Sequence, residues 1–439
     1  MKAVLKLIPL LLLALLLCGC MLTVDQMYCL PKRSDMYNDL QLAIDNAMTD
    51  LSYCAPLSGE NQQSVQIADL DGDGRNEYLL FAKSTQEEKP LRIFVFHNVK
   101  GTFQNTDTVE CNGSAFDQVE YVDLNGDGGL EIVVGRQVSD QVIRSVSVYT
   151  LAEGELMQLV TVNYAKFLTL DLNADGQREL FVLRPGQTDT DNGVAELYSM
   201  RDGVMERYNE VNMSQPVDNL KRLLVGKIDG GQAAIYAASA AGESALVTDV
   251  FTLNDDLLVN IVRSNHSDTG VQTLRNFYVY ADDIDDDGVV ELPRLITMPG
   301  IGNSVAEDSN QLICWYAMTQ DGREVIKMYT YHNFVGGWYM RLGETLANRV
   351  SVVSNSNAYE FYAWDDTGIL REKVVTIYAL SGQNRESQAA EEGYITLHRT
   401  DTVVYVAKLE PASAQYGIDG NTVRDCFRLI QQDWKTGET

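Results

Sequence analysis

Over most of its length the chain alternates apolar and polar residues in short runs, and the runs come in groups of four. A period of two over five to eight residues is the signature of a half-buried strand. The first group is Val65–Leu70, Glu77–Ala82, Leu91–His97 and Phe103–Val109. The second is Val119–Leu124, Glu131–Arg136, Arg144–Thr150 and Leu156–Asn163. The third is Phe167–Leu172, Glu179–Arg184, Val194–Met200 and Val204–Val211. A weaker fourth copy surrounds Leu224 to Ala237. A fifth runs through Asn276–Tyr280, Val290–Ile296, Gln311–Ala317 and Glu324–Tyr331 to Trp338–Leu342. Similar four-stranded units at about 50-residue spacing define a repeat architecture, and radial repetition is one way such sheets avoid long open edges.

The flanks follow other rules. Before the first unit, Tyr37, Leu40, Ile44, Ala47, Met48 and Leu51 recur every three or four residues, which predicts a helix over about 35–51 with Ser34 as its cap. After the fifth unit the rhythm breaks. Strand-like runs at Val350–Val353, Tyr359–Trp364, Lys373–Ala379, Tyr394–Leu397 and Thr402–Leu409 precede an amphipathic stretch, Thr422–Gln432, read as a helix. The expected organisation is therefore a leader (1–20), a tether with one helix (21–56), a repeat domain (57–343) and a small α+β domain (344–439).

Between the first two strands of four units stands one nine-residue pattern. It reads Asp69, Asp71, Asp73, Arg75 and Glu77 at positions 1, 3, 5, 7 and 9. The later copies place Asp123, Asn125, Asp127, Gly129 and Glu131; Asp171, Asn173, Asp175, Gln177 and Glu179; and Asp283, Asp285, Asp287, Val289 and Glu291 at the same positions. Position 2 is always Leu or Ile and position 6 always Gly. Oxygen donors at alternate positions of a tight turn suit a hard cation, which takes six to eight oxygens at about 2.3–2.6 Å; position 7 can contribute its carbonyl whatever its side chain. About four Ca2+ sites are expected. An EF-hand would need a carboxylate at position 12, but Leu80, Val134, Val182 and Arg294 stand there, and short apolar runs rather than helices follow the first three loops.

These strand–loop–strand motifs resemble the FG-GAP or VCBS repeat of integrin-type β-propellers. The resemblance covers about residues 60–340, is specific at the loops and lacks a tidy Phe-Gly…Gly-Ala-Pro signature. It implies a mainly β fold: a propeller of about five four-stranded blades with Asp-rich calcium loops, followed by the α+β domain. A seven-bladed ring would need two further blades from the flanks, where no acidic loop occurs. Loop starts lie 54, 48 and then 112 residues apart, and the long gap is filled by the copy near residue 227, where Lys227 replaces the first Asp. No metal is expected there.

Charge sharpens the picture. The 439-residue chain carries a formal net charge of −28, which disfavours nucleic acid and anionic lipid headgroups as partners. Fourteen carboxylates at loop ligand positions make up half of that value. Without cations they would repel one another inside tight turns, so metal is expected to stabilise the fold.

The first twenty residues read as an export signal. Lys2 and Lys6 precede the apolar stretch Ile8–Leu17, and Leu17-Cys18-Gly19-Cys20 resembles a bacterial lipobox with Cys20 as the lipidated residue; an ordinary signal peptide is the alternative. The expected address is extracytoplasmic, anchored to the bacterial cell membrane by lipid on Cys20. Cys29, Cys54, Cys111, Cys314 and Cys426 are too few and scattered for a disulfide framework or a zinc site, although a Cys29–Cys54 bridge stays open.

No catalytic motif stands out. His97, His266, His332 and His398 have no metal-site spacing, and no nucleophile elbow or phosphate-cradling loop occurs. The cluster Tyr316, Tyr329, Tyr331, Trp338 and Tyr339 reads as core packing before it reads as a ligand platform. The function expected is that of a binding or scaffold protein with an unknown protein or glycan ligand. The alternative is an extracellular polysaccharide-acting enzyme or accessory subunit.

Overall fold

The computed structural model describes residues 35–138, 143–152, 154–188, 190–263, 272–299, 311–365 and 367–430. The leader, Cys20, Cys29 and His266 lie outside them.

Alternating side chains produce what they predict: consecutive antiparallel sheets, each built mostly from neighbouring segments of chain. The first holds Leu51–Tyr53, Val65–Ala68, Glu77–Ser84, Leu91–Val99 and Thr102–Cys111. The second holds Ala115–Val122, Glu131–Gln137, Arg144–Ala152 and Glu155–Tyr164; the third, Lys166–Leu170, Glu179–Arg184, Val194–Arg201 and Val204–Asn212. The fourth, from Leu220–Lys227, Ala233–Ala240, Leu246–Asn254 and Leu257–Asn260, is the degenerate copy. The fifth combines Leu292–Thr297, Gln311–Met318, Glu324–Asn333 and Trp338–Leu342. The protein is mainly β, and these are sheets of propeller-blade type.

Both faces of each central sheet are used. Leu79, Phe81 and Ile93 of the first sheet share a core with Phe116, Ile132 and Val134 of the second. Val133, Val146 and Val148 on the second sheet's other face meet Phe167, Leu180 and Val182 of the third. Phe181 and Leu197 then meet Ile235 and Phe251 of the fourth, and Tyr236 and Val250 meet Leu292 and Tyr316 of the fifth. The remaining face of the first sheet, with Leu80, Phe94 and Phe96, is covered by helix α1, Asp35–Ala47, through Leu40 and Ile44. That helix ends earlier than expected, and Leu51 pairs with Ser84 as a strand instead.

Two further elements differ from expectation. Asn276–Tyr280 is not a strand. Arg275 bridges to Leu246 on the fourth sheet, while Val279 and Phe277 fold over Ile313 and Trp315 on one face of the fifth. The chain there serves as a lid over apolar side chains, a role alternation cannot distinguish from a strand. The C-terminal helix is also shorter than 422–432. Asp419 accepts from the backbone N–H groups of Asn421 and Thr422 and starts it, and it spans Gly420–Cys426. Phe427–Leu429 then joins the fifth sheet beside Trp338–Leu342, because the Phe427 ring stacks on Trp338 at 5.3 Å.

The C-terminal region forms a sixth sheet from Val350–Asn355, Ala358–Trp364, Arg371–Ser381, Val403–Leu409 and Tyr394–Arg399. Phe361, Val375 and Ile377 share one continuous core with Leu312, Tyr331 and Trp338 of the fifth sheet. On its far face Leu380, Val404 and Val406 are covered by Ala389 of a short helix, α2, Arg385–Ala389.

Candidate metal centre

The first acidic loop joins Val65–Ala68 to Glu77–Ser84, the second and third join the first two strands of their sheets, and the fourth precedes the first strand of the fifth sheet. All four close through the same hydrogen bonds. The Gly N–H at position 6 donates to the position-1 carboxylate: Gly74 to Asp69 at 3.0 Å, Gly128 to Asp123 at 3.1 Å, Gly176 to Asp171 at 3.0 Å and Gly288 to Asp283 at 2.7 Å. The position-7 N–H of Arg75, Gly129, Gln177 and Val289 donates to Asp73, Asp127, Asp175 and Asp287 at 2.7–2.8 Å. The position-2 N–H donates to the closing glutamate, with Leu70, Leu124 and Leu172 at 2.8 Å from Glu77, Glu131 and Glu179, and Ile284 at 3.0 Å from Glu291. Every loop is thus a rigid cup of oxygens.

Two backbone turns in each loop are left-handed. Position 6 is glycine throughout. Position 4 is Gly72, Gly126, Ala174 or Asp286, with φ of 69°, 78°, 60° and 63°. That second requirement was not visible in the residue pattern, because Ala and Asp fill it twice.

The cups bring carboxylates together. Ligand atoms of Asp69, Asp71 and Asp73 lie within 4.8 Å of one another, as do those of Asp171, Asp175 and Glu179, and of Asp283, Asp285 and Glu291. In the second loop the Asn125 amide nitrogen donates to Asp127 and Glu131, each at 3.0 Å. The closing glutamates are almost fully buried, Glu291 at 0% exposure. Burial, reinforced by the neighbouring aspartates, pushes Glu77 and Glu179 up to about 7 and Glu291 up to about 8, and raises Glu131. Among the buried oxygens, Asp69 Oδ1, Asp285 Oδ1 and Glu291 Oε1 have no hydrogen-bond partner. A buried unpaired carboxylate oxygen is costly, and a hard cation is the partner this donor set suits.

The loops also touch one another. The Leu130 N–H of the second donates to the Asp69 carbonyl of the first at 3.1 Å. A Cβ on Gly129 would stand 2.7 Å from the Leu70 carbonyl oxygen, and one on Gly126 would stand 3.2 Å from the Gln177 amide nitrogen of the third loop. The fourth loop meets the degenerate turn of the fourth sheet: Val289 bridges to Lys227. Asp229 of that turn has a resident cation, Lys327, whose ammonium lies 2.9 Å from it and 4.0 Å from Asp287.

Of the histidines, His332 is buried and pushed down to about 3 by desolvation, and His398 is exposed. His97, expected at a strand edge, stands with Nδ1 3.4 Å from Glu77 Oε1. Sequence reasoning missed that neighbour, since only strand register brings the two together. Trp315, Tyr316, Tyr331 and Trp338 are core residues.

Residues 69–134, which contain the first two loops, match the FG-GAP-like repeat. No curated protein matches the sequence. Among solved structures the chain is similar to the exotype rhamnogalacturonan lyase YesX, with 15% identity over 76% of this chain and 67% of that one and a TM-score of 0.28. A Bacillus licheniformis rhamnogalacturonan lyase, PL11, aligns at 11% identity over 82% of this chain and 91% of that one, with a TM-score of 0.30. The Dos1 propeller aligns at 10% identity over 81% of each chain, with a TM-score of 0.30. At such scores neither detailed topology nor activity is carried over.

Proposed function

We propose that the protein is an extracytoplasmic scaffold, lipid-anchored through Cys20, whose blade-type sheets are held by calcium and present loops to a protein or glycan ligand. One observation carries the calcium part: four separate loops close through the same three hydrogen bonds, three of them around converging carboxylates, with three buried oxygens left without partners. Asp69, Asp71, Asp73 and Glu77 would hold the first ion, with Asp123, Asn125, Asp127 and Glu131, Asp171, Asn173, Asp175 and Glu179, and Asp283, Asp285, Asp287 and Glu291 holding the others. Carbonyls of Arg75, Gly129, Gln177 and Val289 complete the sets. No described helix is long and apolar enough to cross a membrane.

Calorimetry on the mature chain tests the calcium reading. Uptake of several calcium ions at sub-millimolar affinity is expected, with a melting temperature that rises with free calcium. An unchanged melt in chelator would reject it. Cys20→Ser is expected to move the protein from the membrane fraction to the soluble one.

A further inference from the structure

We propose that the first loop and His97 together form a site for a borderline transition metal of the zinc class, chemically distinct from the other three loops. The proposal rests on reading the loops as cation sites and concerns which ion the first one selects.

The argument starts from register. Tyr78 pairs with Phe96, Ile132 with Tyr149, Leu180 with Tyr198 and Leu292 with Tyr316. One step along each ladder, the closing glutamate faces His97 in the first sheet, Thr150 in the second, Ser199 in the third and Ala317 in the fifth. These neighbours differ in what they offer. Thr150 donates its hydroxyl to Glu131 Oε1 at 3.0 Å. Ala317 offers nothing, and Glu291 Oε1 is without a partner. Only the first loop has a nitrogen donor there.

Three further observations converge on it. Ligand atoms of Asp71, Glu77 and His97 all lie within 4.8 Å of one another. Of the two ring nitrogens it is Nδ1 that faces Glu77 Oε1, and within the loop Asp69 Oδ1 is buried without a hydrogen-bond partner. Asp73 is meanwhile engaged by its own loop, accepting from the Arg75 N–H through Oδ1 at 2.8 Å and from the Arg75 guanidinium Nε through Oδ2 at 2.9 Å. In the second and third loops Asn125 and Asn173 donate to the corresponding aspartate oxygens of Asp127 and Asp175 at 3.0 and 2.8 Å, so the difference between the cups lies in the imidazole. The first cup therefore adds an imidazole that the other three lack.

That imidazole decides the ion. Calcium takes an all-oxygen shell, whereas imidazole with carboxylates suits zinc and its neighbours. Two donors at about 2.0–2.1 Å from a tetrahedral zinc stand roughly 3.3–3.4 Å apart. The His97–Glu77 separation of 3.4 Å already has that value.

Zinc titration of the mature chain in millimolar calcium, with cobalt absorption as a second readout, tests the proposal. One equivalent of zinc should bind despite the calcium, and His97→Gln should weaken it at least tenfold while calcium uptake by the other loops is unchanged. Bound cobalt should show d–d bands without a thiolate charge-transfer band, which excludes the free thiols of Cys54 and Cys426. If His97→Gln does not fold, Asp71→Asn, at an exposed loop position, must produce the same loss. Calcium uptake with no zinc uptake would overturn this proposal alone, as would zinc binding indifferent to both substitutions. Absence of both metals would overturn it together with the calcium reading.

Discussion

Position 4 of each loop shows how a single residue can store strain. A left-handed backbone costs a non-glycine residue about 1–2 kcal/mol, and Ala174 sits there at φ 60°. Ala174→Gly should therefore stabilise the protein by roughly 1 kcal/mol after allowance for glycine's looser unfolded state, read from urea unfolding in calcium. Gly72→Ala should do the reverse and more, since its Cβ would meet the backbone of Gly128 and Gly129 at 3.0 Å. The closing glutamates set a pH dependence. Burial raises Glu77, Glu179 and Glu291 from about 4.5 to about 7, 7 and 8. The folded state then holds protons that the unfolded state releases, so without metal their stabilisation is full below pH 4.5 and is lost as pH rises through 7–8. In chelator the melting temperature should fall between pH 5 and 8, and saturating calcium should abolish the fall. The alternating acids were legible in the sequence because they recur at fixed spacing in all four loops. The strained fourth position and His97 were not, since one is a backbone state and the other a contact between strands.

Among elements, those the sequence misread are ones whose partners lie far along the chain. Val423, Cys426, Phe427 and Ile430 have helical spacing, yet the helix stops at Cys426. Phe427 is worth more against Trp338 and Tyr405, at ring distances of 5.3 and 5.2 Å, than in another helical turn. Phe427→Ala should cost about 3–5 kcal/mol, measurable as a lowered denaturant midpoint with calcium loading intact. The segment before the fourth loop is a similar case. Its alternation is real, but the fourth sheet captures Arg275 and the fifth sheet's apolar face captures Val279. The strands of the first three units were legible because each pairs with its immediate neighbour in sequence.

At the scale of the molecule, five successive shared cores tie six sheets together. Helix α1 covers a face of the first sheet, and α2 covers a face of the sixth. The sixth sheet belongs to the same packed body as the fifth, so heat should unfold them in one transition, which calorimetry of the whole chain can check. The three abutting loops carry a last consequence. The Asp69 carbonyl is held by Leu130, and Gly126 stands against Gln177, so a cup that tightens on its ion presents its neighbour with a readied shape. Filling should then be steep: an isotherm with a Hill slope above one, blunted toward one by Asp123→Asn in the middle cup. If the cups hold calcium as proposed, a protein built this way would register whether its surroundings contain enough calcium almost as a yes or a no.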